Sequence, residues 1–104
     1  MKITRWEHER HGPLSETAVR GRFNDSVHRL FRRHIPEPAR MVGVAEARIL
    51  VPLSGGFRLY VDGQQHDAAP GDVVDLHGGS FTFTCEGPVT FMAVYRLPAG
   101  EWPQ

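Results

Sequence analysis

Cysteine is almost missing from this sequence: Cys85 stands alone among 104 residues. A single thiol permits no intrachain disulfide and no cysteine-based zinc cluster. Long apolar runs are missing too, since none approaches the roughly 20 residues that cross a bilayer. The opening MKITRWEHERHG is charged where a secretory leader would be apolar. Net charge is also absent. Twelve Lys and Arg balance twelve Asp and Glu, which leaves no overall field to gather nucleic acid or an anionic membrane surface. Low-complexity tracts and internal repeats do not occur. These absences point to a cytoplasmic chain of one domain, long enough for a single core, with no nucleic-acid or membrane partner.

The charge that is present is unevenly spread. Residues 1–48 carry ten Lys/Arg against six Asp/Glu, and residues 49–104 carry two against six, so the halves are +4 and −4. Compensation across the fold or between subunits is the expected use of such a split.

Pro13–Phe23 reads as the one helix. Ser15 is placed to cap it, Glu16 sits in the first turn, and Leu14, Ala18, Val19 and Phe23 form a partial apolar stripe. Beyond Asn24-Asp25 the pattern is β. Ser26–His34, Ala47–Leu53, Phe57–Val61, Asp72–Leu76, Ser80–Cys85 and Val89–Leu97 are strand-like, and Asp62-Gly63 marks a tight hairpin. Short strands punctuated this regularly argue for a sandwich or barrel. The expected layout is an N-terminal strand and helix over 1–25, a barrel over 26–97 and a loose tail over 98–104.

The segments VPLSGGFRLYVDG, APGD and LHGGSFTFT, in that order, resemble the bacterial small single-domain cupins. There the chain passes a corner, a hairpin, a PGD turn and a glycine turn before its last strands. The opening, with ITRW and GPLSE, fits as well, so the resemblance covers nearly the whole chain. It implies an all-β fold: a cupin-type double-stranded β-helix, or jelly-roll barrel, with one short N-terminal helix.

The resemblance also implies a place for a metal. The family's site uses two histidines one residue apart, a glutamate, and a last histidine after the glycine turn, a set suited to iron, manganese, nickel or zinc. Transferred position by position, the histidine pair falls within Met41-Val42-Gly43-Val44, the glutamate at Arg48 and the last histidine at Thr82. None of the ligands remains. A cation 4 Å from Arg48 would be repelled by about 4 kcal/mol per unit of its charge at an effective dielectric near 20. The implied site is degenerate, with no metal and no cofactor.

Arg48 is the first candidate for function. Strand alternation sends it into the barrel with Leu50, away from Ala47, Ile49 and Val51. A guanidinium keeps its charge and needs an anion. Glu46 would make that a structural pair, and a ligand carboxylate or phosphate would make it a binding site. Thr82 and Thr84 share a face by the same alternation and are expected beside Arg48, with Phe81, Phe83 and Cys85 opposite. Cys85 reads as a buried, inert thiol. His28 and His34 lie on one side of their strand with Leu30 and Arg32, and with Tyr60 they are candidates for acid–base catalysis. The basic stretch Val27–His34 reads as a sheet edge or subunit surface.

The leading functional expectation is a metal-free barrel that binds a small anionic organic ligand in an accessory or sensor role. The alternative is a small cupin enzyme, isomerase- or epimerase-like or metal-dependent and dioxygenase-like, acting on a small metabolite. A homodimer is expected, because a small barrel has few helices to cover its apolar strand faces.

Overall fold

The computed structural model describes residues 1–45 and 47–96. Its strands run in chain order β1 (Lys2–Arg5), β2 (His28–Ile35), β3 (Ala39–Ala45), β4 (Arg48–Ser54), β5 (Phe57–Val61), β6 (Gln64–Ala68), β7 (Asp72–Leu76), β8 (Gly79–Cys85) and β9 (Val89–Arg96). Between β1 and β2 come two short helices, α1 (His8–His11) and α2 (Glu16–Arg22). The strands form two sheets, ordered β1-β7-β4-β9-β2 and β3-β8-β5-β6. Every pairing is antiparallel.

Successive strand residues face opposite ways, which sorts the apolar ones into two cores. Leu50, Leu59, Val74, Phe83, Phe91 and Ala93 point between the sheets. Their strand neighbours Val51, Val73, Met92 and Val94 point the other way, onto Trp6, Val19 and Phe23. The outer face of the five-stranded sheet is thus sealed by α2 and Trp6. Ser15 caps α2 as expected, its Oγ accepting from the Ala18 amide at 3.0 Å. Leu14 and Ala18 pack beside the fully buried Val19.

The Asp62-Gly63 hairpin closes with φ of +52° and +76°, the two left-handed residues that a type I′ turn requires. The β4–β5 corner turns on Gly55, at φ +73°.

Three elements depart from the expected layout. His8–His11 makes an additional helical turn, ended by Gly12 at φ +78°, so the N-terminal region holds two helices. β3 begins directly after Pro38 and pairs with β8 along seven residues. β6 is a polar edge strand on β5. The expected tail over 98–104 lies outside the described residues. Among the described residues no helix is long and apolar enough to cross a membrane.

Candidate functional site: a cationic, aromatic barrel cavity

Arg48 opens β4 and stands opposite Tyr95 of β9. Both side chains face between the sheets, as Leu50 does, because the helix-facing slots go to Ile49 and Val94. The Arg48 Nη1 donates to the Tyr95 hydroxyl oxygen at 2.7 Å, and its guanidinium carbon lies 4.7 Å from the Tyr95 ring centre. Tyr95 in turn meets Phe31 of β2 edge-on, with centroids 5.6 Å apart. These contacts fix the phenol and guanidinium relative to each other.

The pair lines a cavity of about 120 Å³ between the sheets. Arg33 of β2 lines it too, from a position opposite Phe91. The remaining wall is apolar: Leu50, Leu59, Phe81, Phe83 and Phe91, with Met41, Leu76 and Ala93 between them. Arg33 is exposed while Leu59, Phe83 and Phe91 are buried, so the cavity runs from a cationic mouth to an apolar floor. β2 and β3 are the edge strands on this side of their sheets, and Arg33 and Met41 belong to them.

The structure reverses the expected faces of β8. Phe83 and Cys85 are buried between the sheets and Phe81 joins the cavity wall, so Thr82 and Thr84 point outward. The sequence FTFTC alternates in either register, and burial of two aromatic rings outweighs burial of two hydroxyls. Thr82 stands opposite Val42 and Tyr60 on the outer face. Thr84 stands opposite Arg40 and Arg58. Cys85 is buried as expected but on the inner face, its thiol 3.7 Å from the Glu37 carbonyl oxygen.

The catalytic candidates are likewise separated. His28 and His34 do share a face of β2, and it is the face turned to the helices. The His28 ring meets Phe23 edge-on and lies 2.7 Å from an Asp25 carboxylate oxygen. His34 Nδ1 is 2.8 Å from the Thr90 hydroxyl. Tyr60 is on the outer face of the other sheet, donating to Gln65 Oε1 at 2.9 Å. Among the described residues, then, the imidazoles and that phenol lie on the outer faces of different sheets. Tyr95 and Arg33, which the sequence reading passed over, line the cavity instead. The signal for Tyr95 was its alternation with Phe91 and Ala93, and for Arg33 its alternation with Phe31 and Ile35. The Glu46 partner considered for Arg48 lies outside the described residues.

A metal fits this interior poorly. The inward slots hold guanidinium, phenol, thioether and aromatic carbon, and among the described residues no three His, Cys, Asp or Glu side chains gather. At the other end of β4 and β9 a wider groove of about 430 Å³ runs past Gly55, Thr84 and Pro88. Its one lining cation is paired, Arg58 Nε meeting Asp67 Oδ1 at 2.8 Å, and Glu86 adds a second carboxylate. That hydrogen bond holds the Asp67 carboxyl below its usual 3.8 and raises Arg58.

No family model and no curated protein matches the sequence. Solved structures do match. The Cupin_2 domain of an XRE-family transcriptional regulator from Enterobacter cloacae superposes with a TM-score of 0.60 at 18% identity, over 93% of this chain and 96% of that one. A cupin superfamily protein from Desulfitobacterium hafniense gives 0.58 at 14% identity, over 71% of each. The fold is that of a cupin. The EutQ protein of Clostridium difficile gives 0.61 at 18% identity, covering 73% of this chain. This chain spans only 60% of that EutQ chain. The interior of that barrel is lined here by Arg48, Tyr95 and Phe81 among others.

Proposed function

We propose that this cupin barrel binds a small organic anion without a metal, in an accessory or sensing role. The observation that carries the reading is the convergence of Arg33, Arg48 and Tyr95 on one otherwise apolar cavity. Such a site presents donors and no described base. Its fixed positive charge can hold a carboxylate or phosphate oxygen where the family would use a cation. Sensing draws support from the Enterobacter cloacae cupin domain, which belongs to a transcriptional regulator. An isomerase-like enzyme would need the imidazole and phenol that the fold keeps apart, so that alternative gains no support from the geometry. We further propose that the protein acts as a homodimer.

Calorimetric titration with a panel of small organic acids tests the reading. Arg48→Met keeps much of the side chain's length and removes its charge. A charge-assisted hydrogen bond contributes about 1.5–3 kcal/mol, so the variant should bind roughly ten- to a hundredfold more weakly while its circular dichroism stays unchanged. Equal affinity in Arg48→Met, or no binding of any organic anion by the wild type, would refute the proposal.

A further inference from the structure

Resting on that reading, we infer that the occupant is a small monocarboxylate with a compact, hydroxyl-free body about the size of a single aromatic ring, held with its carboxylate at Arg33 and its body inward. Size comes first. The cavity measures about 120 Å³, and a dry apolar cavity of roughly 150 Å³ takes up benzene. One ring, or an aliphatic body of similar bulk, fills this space, and a fused bicycle exceeds it.

Polarity comes second. Arg33 is exposed at the mouth, and among the described residues it makes no ion pair or hydrogen bond. Arg48 spends one donor on Tyr95, whose oxygen is the acceptor. The Tyr95 proton is therefore directed away from Arg48, and it has no acceptor among the described residues. The polar side chains of the described wall, Arg33, Arg48 and Tyr95, are exposed or half-buried, and its fully buried members are all carbon.

The floor, made by Leu59, Phe83 and Phe91, offers only carbon. A second carboxylate, a phosphate deep in the site or a sugar hydroxyl would be stripped of water there with no partner. Each unmatched hydroxyl weakens binding by about tenfold or more. The three aromatic rings on the wall, Phe81, Phe83 and Phe91, favour an aryl body through edge and offset contacts.

The test titrates wild-type protein with benzoate, benzyl alcohol, 2-naphthoate, gluconate and citrate, following methyl and aromatic NMR signals of the cavity. Benzoate should saturate and shift Leu59 and Phe83. Benzyl alcohol, lacking the charge, should bind at least about tenfold more weakly, and the other three should leave the signals unmoved. Arg33→Met should weaken benzoate by roughly tenfold and leave benzyl alcohol unaffected. Ala93→Leu fills the cavity and should block benzoate while the far-ultraviolet circular dichroism stays native. If Ala93→Leu does not fold, protection of the same signals by xenon reports the void independently. Gluconate or citrate binding more tightly than benzoate, with dependence on Arg48, would overturn the size and polarity inference and leave the anion reading standing. Failure of every anion in the panel would overturn both.

Discussion

Asp25 links α2 to the barrel by a single carboxylate. Its Oδ1 accepts from the Val27 amide at 2.9 Å and the His28 amide at 3.0 Å, an Asx-type turn that aims the chain into β2. The His28 ring nitrogen lies 2.8 Å from Oδ1 and 2.7 Å from Oδ2. The His28 side chain is the largest influence holding the Asp25 carboxyl below its usual 3.8, with the Val27 amide adding to it. A depressed folded-state value stabilises the fold above the unfolded value and stops doing so as pH falls through the folded one. Asp25→Asn keeps the turn and removes the charge. The wild type should therefore be the more stable of the two at about pH 5.5, with the gap closing below pH 3.8. Urea unfolding across that range checks it, and a gap that widens on acidification would contradict the assignment. Residues of this kind show what a sequence hides. Arg48 could be placed inward because Ile49 and Val51 left no other face for it. The same counting failed on β8, where Thr82 and Phe81 were equally plausible until the facing sheet decided between them.

Elements were legible in proportion to their apolar content. β5 alternates clearly, β4, β7 and β9 carry apolar runs buried on both faces, and the structure keeps all four near their expected bounds. β6, QQHDA, has almost nothing to bury and exists because β5 offers it a ladder. β3 carries Gly43 opposite Phe81, where a Cβ would make only ordinary contact with the ring, and a glycine inside a strand weakens its signal. Turns were the reverse case, since their geometry is written in glycine. At Gly55, φ is +73° and a Cβ would run into the Pro88 carbonyl oxygen. At Gly63, φ is +76° with open space around it. Gly21 lies exposed inside α2 with nothing near. Substituting alanine should therefore give three different results. Gly55→Ala should cost well over about 1 kcal/mol, because strain and collision add. Gly63→Ala should cost about 1 kcal/mol from strain alone. Gly21→Ala should stabilise by about 0.5–1 kcal/mol. Thermal denaturation of the three variants orders them, and Gly55→Ala proving as mild as Gly63→Ala would show that the corner can move.

At the scale of the whole molecule the two sheets are treated unequally. α2 and Trp6 cover the outer face of one. Among the described residues nothing comparable covers the other, and it carries Val44 at 82% exposure, Val42 at 67% and Tyr60 at 40%. Antiparallel sheets commonly turn one polar face to water, but valines on an edge strand are a poor choice for that. Val42 and Tyr60 flank Thr82 on neighbouring strands, so the outward threonines belong to a continuous, mildly apolar patch. Arg40 and the Arg58–Asp67 ion pair stand beside it. A two-fold axis through such a patch would bury it against its own copy, the self-complementary arrangement of most dimers. A stable interface needs about 800 Å² from each partner, which a four-stranded sheet face can supply. The protein should then run as a homodimer in light scattering at micromolar concentration. Val42→Glu with Val44→Glu should convert it to a monomer. Both positions are mostly exposed in the single chain and lie outside the cavity wall, so the variant should keep its fold and its benzoate affinity. A wild type that stays monomeric at about 100 µM, well above the Kd of a stable dimer, would remove the dimer. A glutamate pair that leaves the dimer intact would move the interface to another surface, with the exposed Phe31 edge of β2 the next to be tested.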